Sequence, residues 1–222
     1  MGIISLRRRT ELSTNVDVYE VKLGDEYLMS SMFTAAEVAL ARLGLAQTTG
    51  TDLDVVVGGL GLGYTAQTAL EDPRVRSLVV VEALGEVIGW HQRRLLPDTV
   101  ELASDPRIRL QRGDFFALCD SDAGFDPDAP GRRFHAILLD IDHTPRHVLH
   151  PSHAAFYTSA GLKKLVGHLH PGGVFALWSD DPPDADFEAV LATVFDRSEA
   201  SVVRFANPLT GGHSTNTVYV AS

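Results

Sequence analysis

The sequence predicts an α/β fold in which a mainly parallel sheet is covered by helices on both faces and closed by an antiparallel strand pair. Three observations predict it. Short apolar runs near 53–58, 77–82, 108–112, 134–140 and 172–178 alternate with helical patterns near 64–71, 85–96, 153–168 and 185–196. That alternation is the mark of parallel strands buried on both sides. Two further apolar runs, 200–206 and 215–221, are separated only by Asn207-Pro-Leu-Thr-Gly-Gly, which is too short for a helix and predicts an antiparallel hairpin at the sheet edge. Finally, Val55-Val56-Val57 runs straight into a glycine turn, Gly58, Gly59, Gly61 and Gly63, which opens a short helix.

Ahead of this region the pattern is weaker. Residues 15–31 alternate around Gly24-Asp25 and predict a small hairpin. Residues 33–45 predict a helix, with Thr34 as cap and Glu37 three residues on, the spacing of a capping box. Residues 47–51 form a linker, so the chain divides into an extension (1–48) and a main unit (49–222). Arg7-Arg8-Arg9 is short and terminal and predicts a solvated tail. Residues 120–131 predict an exposed acidic loop.

Composition narrows the function classes. With 222 residues and 45% apolar content the chain can bury a sizeable core. A net charge of −10 argues against nucleic-acid binding, which needs a basic footprint, and is compatible with a cationic substrate. No apolar run reaches the length of a membrane span, and the N-terminus lacks the order of a signal peptide. Cys119 is the single cysteine, which excludes an intrachain disulfide and a cysteine metal cluster. The expectation is a cytoplasmic protein without a metal, acting alone or as a homodimer.

The glycine turn carries the chemistry. Small residues let backbone amides and a helix N-terminus approach a ligand, and Glu82, at the tip of the next strand, can accept both hydroxyls of a ribose. The turn satisfies two registers. Gly61-x-Gly63-x-x-Ala66 fits a dinucleotide, and Gly59-x-Gly61-x-Gly63 fits S-adenosylmethionine. The third strand ends in Gly113-Asp114, an acid placed to accept an adenine amine, and the fourth ends in Asp140. Acids at three successive strand tips, with a terminal antiparallel pair, suit an S-adenosyl cofactor better than NAD.

From 55 to 173 the chain resembles the spermidine synthase family, aminopropyltransferases built on the class I methyltransferase fold; the resemblance spans roughly 15–178. The family's glycine motif falls on Gly59-Leu60-Gly61-Leu62-Gly63-Tyr64, its strand-end acid on Val81-Glu82, and its Gly-Asp on Gly113-Asp114. Its catalytic aspartate falls on Asp140, and Asp105-Pro106-Arg107, Phe156-Tyr157 and Gly172-Gly173 also match. The resemblance implies a class I methyltransferase-type, mixed seven-stranded sheet with helices on both faces and a small N-terminal hairpin-and-helix extension. It also implies that Glu82 holds the ribose, Asp114 the adenine and Asp140 the reacting amine. Departures sit inside the same motifs. Leu62 replaces an aspartate that in the family contacts the amino group of decarboxylated S-adenosylmethionine. Ala35-Ala36-Glu37 replaces Tyr-His-Glu, Asp140-Ile141-Asp142-His143 displaces a second aspartate, and Trp178-Ser179-Asp180-Asp181 replaces a glutamine region.

The expected function is transfer of an aminopropyl or methyl group from decarboxylated or intact S-adenosylmethionine to an amine-bearing small molecule. Asp140 is the candidate catalytic carboxylate, with Asp142 or His143 assisting; His143 is an alternative base because imidazole titrates near neutrality. Gly59, Gly61, Gly63, Glu82, Gly113 and Asp114 are the candidate cofactor residues, and Glu37, Asp180 and Asp181 the candidate substrate residues. His143, His147, His150 and His153 read as solvated loop histidines, since Pro145 and Pro151 interrupt any common helix face. A non-catalytic binder that retains the nucleoside pocket and an NAD-binding protein are the alternatives.

Overall fold

Strands β1 (Ile4–Glu11), β2 (Val16–Leu23) and β3 (Glu26–Ser30) form an antiparallel meander in a computed structural model that describes residues 3–12 and 14–222. The sequence pattern predicts only the hairpin β2–β3. The arginine run is not a solvated tail: Arg7, Arg8 and Arg9 lie in β1, where Arg8 pairs with Asp17 and Arg9 with Glu20 and Glu11. The arginines hide the strand because its alternation is carried by Ile4 and Leu6 alone, which pack against the core just ahead of the arginine run. Met1, Gly2 and Ser13 lie outside the described residues.

Helix α1 (Ala35–Ala46) leads into the main sheet, which runs β4 (Leu53–Gly58), α2 (Tyr64–Glu71), β5 (Val75–Glu82), α3 (Gly85–Gln92), β6 (Ile108–Arg112), α4 (Phe115–Cys119), β7 (Phe134–Leu139), α5 (Ser159–Gly167), β8 (Leu169–Ser179), α6 (Ala185–Ala192), β9 (Ser198–Asn207) and β10 (Gly212–Ala221). The seven strands stand in the order β6-β5-β4-β7-β8-β10-β9. The first five are parallel, and β10 lies antiparallel between β8 and β9. Strand side chains alternate between two cores. Val55, Val57, Leu78, Val80, Ala136 and Leu138 face α1, α2 and α3; Val56, Val79, Val81, Ile137, Leu139 and Phe175 face α4, α5 and α6. All six residues of β4 are buried. At roughly 1.5–3 kcal/mol per fully buried aliphatic side chain, this double packing supplies the driving force that sets the sheet.

Element ends depart from the pattern for local reasons. The helix predicted to run to residue 96 stops at Gln92, because Arg94 takes a left-handed conformation (φ 57°). The helix predicted over 153–168 is a 3₁₀ turn (Pro151–Ala155) and then α5, restarted by Thr158, whose hydroxyl accepts from the Gly161 N–H. Helix α4 is only five residues long, below the length at which periodicity registers, and Asp114 caps it. Thr34 precedes α1 without a side-chain cap, so Glu37 is not half of a capping box; it is turned inward and buried. No helix among the described residues is long and apolar enough to cross a membrane.

Candidate functional site

The strand order reverses at β4: β5 and β6 extend to one side, β7 and β8 to the other. Crevices at the carboxyl ends of strands form at such switch points. Here the crevice deepens into a cavity of about 750 Å³, roofed by the meander through Val21, Tyr27, Met29 and Ser30 and walled by Trp178 and Phe205.

The glycine turn is built for close approach. Gly59 has φ 91°, and a Cβ there would run into the Asp140 carbonyl oxygen; Gly61 has φ 47°, and a Cβ would strike the Met29 sulfur. Both glycines face the cavity, whereas Gly63 does not line it; it packs on His91 and Leu102 and starts α2. The turn's amides are engaged: Gly59 N–H donates to Val81 O, Gly63 N–H to Leu60 O, and Leu62 N–H points at Met29 Sδ (3.3 Å). The Leu62 side chain is buried in the core away from the cavity, so the departure at this position empties no contact in the wall.

Glu82 is clamped at the tip of β5. Its Oε2 accepts from Leu60 N–H (3.0 Å) and its Oε1 from Leu84 N–H (2.8 Å). Burial raises its pKa, and backbone amides of Leu84, Leu60, Gly61 and Ala83 oppose that rise. Each oxygen keeps a second lone pair for a ligand. Asp114, exposed at the tip of β6, uses Oδ1 to accept from the Phe116 and Ala117 amides, and Gly113 lies beside it on the cavity wall.

At the tip of β7, Asp140 accepts from the Thr65 hydroxyl at 2.7 Å. Glu37 reaches the same part of the cavity from α1. Both carboxyls are held protonated to higher pH than usual: Glu37 by burial first and by the charge of Asp140 second, Asp140 by burial, with the Thr65 hydrogen bond opposing it. Two acids in one dry corner share charge poorly, so one of them retains a proton near neutrality. Asp180 lies at the same end, held by Asn216 at 2.7 Å.

Asp142, His143 and Asp181 take different places. Asp142 does not line the cavity. Its buried carboxylate accepts from Leu149 N–H, the Tyr157 hydroxyl and His153 Nδ1, so it stands behind the wall and not at a reacting atom. His143 lines the cavity with Nε2 3.2 Å from Glu26 Oε1, a link from the wall to the roof. Asp181 faces a separate depression beside Arg146 and Asp184. His153 is not a solvated loop residue; it lines the cavity and stacks on Phe116. Sequence reasoning did not reach Thr65, Met29, Phe116 and Asn216 as site residues, and it named His153 only as a loop histidine. Only Thr65 had a signal, its place in the first turn of the helix after the glycines. No group of three or more His, Cys, Asp or Glu side chains among the described residues is placed to hold a metal ion.

No protein-family model matches the chain, and no curated protein matches it in sequence. Solved structures do match. Spermidine synthase from Thermotoga maritima superposes with a TM-score of 0.72 at 16% identity, over 100% of this chain and 70% of that one. A spermidine synthase in complex with the transition-state analogue AdoDATO gives the same values. Human methyltransferase-like protein 13 in complex with SAH superposes with a TM-score of 0.58 at 20% identity, over 84% of this chain and 78% of that one. The chain has the class I methyltransferase fold. Within that fold, its acids at the tips of β5, β6 and β7 stand around one crevice, and the three-stranded meander covers the glycine turn.

Proposed function

We propose that the chain is a transferase that moves an aminopropyl group from decarboxylated S-adenosylmethionine to a small amine. The observation that carries this reading is the charge of the cavity wall. Five carboxylates line it (Glu37, Glu82, Asp114, Asp140 and Asp180), with no lysine or arginine among its described residues. Such a wall favours a sulfonium and ammonium groups and disfavours a pyrophosphate. It also separates the two donors. Intact S-adenosylmethionine brings a carboxylate, and the turn amides that would take it already donate to Val81, Glu82, Leu60 and Met29. The decarboxylated donor has no such group to satisfy. The neighbours' ligands, AdoDATO and SAH, support an S-adenosyl ligand in this fold.

The donor supplies an electrophilic carbon next to a sulfonium that leaves as a neutral thioether. Glu82 and Asp114 hold the nucleoside; Glu37, Asp140 and Asp180 hold the amines. With no acid at position 62, Glu37 is the acid left for the donor's own ammonium. The acceptor amine forms the C–N bond as the C–S bond breaks, and its proton passes to Asp140, whose raised pKa suits it to a base near neutrality. The products are the alkylated amine, a proton and 5′-methylthioadenosine.

Calorimetric titration with S-adenosylmethionine, its decarboxylated form and NAD tests the reading, followed by a turnover assay over mono-, di- and triamines. Tighter binding of the decarboxylated donor with release of 5′-methylthioadenosine supports it. Preference for the intact donor supports methyl transfer instead. Donor binding without turnover on any amine indicates a non-catalytic binder, and binding of NAD alone overturns all three.

A further inference from the structure

The ring of His153 lies against Phe116, with centroids 3.9 Å apart and planes at 23°. Its side chain keeps 14% of its exposure, on the cavity wall. Nδ1 stands 2.9 Å from Asp142 Oδ1. The Asp142 side chain has no exposure, and it also accepts from Leu149 N–H at 2.7 Å and the Tyr157 hydroxyl at 2.8 Å. A carboxylate only accepts, so Nδ1 carries the hydrogen and Nε2 of the neutral ring carries the lone pair. Nε2 has no hydrogen-bond partner among the described residues, and it is not one of the buried orphan atoms, which are His91 Nδ1, Trp178 Nε1 and Ser179 Oγ. It therefore opens onto the cavity as an acceptor of fixed tautomer.

We infer that His153 reads the base of the bound nucleoside, accepting from the exocyclic amine of a 6-aminopurine and rejecting a 6-oxopurine, and that Asp142 is its positioning residue. The inference rests on the S-adenosyl reading above. His153 is delivered by the segment after β7 but packs on Phe116 of α4, at the β6 end of the crevice and next to Asp114. The amine-holding acids belong to α1 and to the ends of β7 and β8. Asp114 gives Oδ1 to its helix and keeps Oδ2. Oδ2 and His153 Nε2 are two acceptors, matching the two hydrogens of an exocyclic amine. A 6-oxopurine would set a carbonyl lone pair against both of them, and an acceptor facing an acceptor is what makes a polar site selective.

The test is calorimetric binding at pH 8 of 5′-methylthioadenosine and 5′-methylthioinosine, which differ at the purine 6-position and at the adjoining N1, an acceptor in the adenine and an N–H in the 6-oxopurine. The wild-type chain is expected to prefer the adenine nucleoside by roughly tenfold or more, the scale of one buried hydrogen bond and one repulsive contact. His153→Phe keeps the stack on Phe116 and removes the acceptor, so adenine binding should weaken and the preference collapse. Asp142→Asn frees the tautomer, letting Nε2 donate; the preference should shrink or invert although residue 142 touches no ligand, a change that a purely structural role would not produce. His153→Phe with unchanged preference overturns the inference while leaving the S-adenosyl reading standing. Wild-type protein that binds neither nucleoside overturns the S-adenosyl reading, and base recognition with it.

Discussion

Asp140 and Glu37 sit in the same corner for different reasons. Asp140 is fixed by the strand that ends beneath it, Glu37 by a helix turn that buries it. Asp140→Asn keeps an oxygen for the Thr65 hydroxyl and removes the base. Turnover should fall by roughly 10²–10⁴, the usual worth of a general base, with donor affinity within a few-fold. Unchanged turnover would remove Asp140 from the chemistry. Glu37 has a consequence for stability. Its pKa rises to about 8 in the fold, so the folded chain retains a proton that the unfolded chain releases above the ordinary carboxylate range of about 4.3. The folded state binds more protons across that window, so stability falls as pH rises from about 4 toward 8 and is unaffected below it. Glu37→Gln removes the titrating group. Urea unfolding at pH 5 and pH 8 should therefore give free energies that differ less in this variant than in the wild type, by on the order of a few kcal/mol. Equal pH dependence in both proteins would show that Glu37 titrates normally.

At the scale of elements, the fold was legible where burial on both sheet faces writes continuous apolar runs. Strands β4 and β6 and helix α2 fall where the pattern puts them, and the antiparallel β9–β10 pair follows from its short connection. Elements were missed where another signal covered them. Arginines masked β1, and α4 is too short to show a period. The strand-tip acids Glu82, Asp114 and Asp140 were visible because a strand end fixes where its next residue points. His153 was not, because its partner Asp142 lies eleven residues away across an irregular segment, and nothing in that spacing reports a hydrogen bond. Asp114 shows how two roles share one side chain. Its cap on α4 is worth roughly 0.5–2 kcal/mol. Asp114→Ala should lower Tm and weaken nucleoside binding together, whereas Asp114→Ser keeps a capping oxygen and should hold Tm while binding still weakens. A parallel loss of Tm in both variants would show that the carboxylate serves the helix by more than its cap.

The whole molecule adds a field to these local terms. A net charge of −10 lies behind a cavity lined by five acids, so a polyvalent amine meets attraction both far from the site and within it. The two contributions separate experimentally. Long-range attraction is screened over about 8 Å at 0.15 M salt, so raising ionic strength should slow association. The buried Glu37–Asp140 corner is shielded from salt but responds to charge. An ammonium placed against it favours the ionised form of both carboxyls, so the proton that the pair shares near pH 7 must leave as the amine enters. Calorimetry of diamine binding at pH 7, in buffers of low and high ionisation enthalpy, should report release of up to one proton per chain. In Glu37→Gln the release should vanish while the salt dependence of association persists. Proton release that survives the substitution would place the amine elsewhere, at Asp180 or on the surface, and would detach the acid corner from substrate binding.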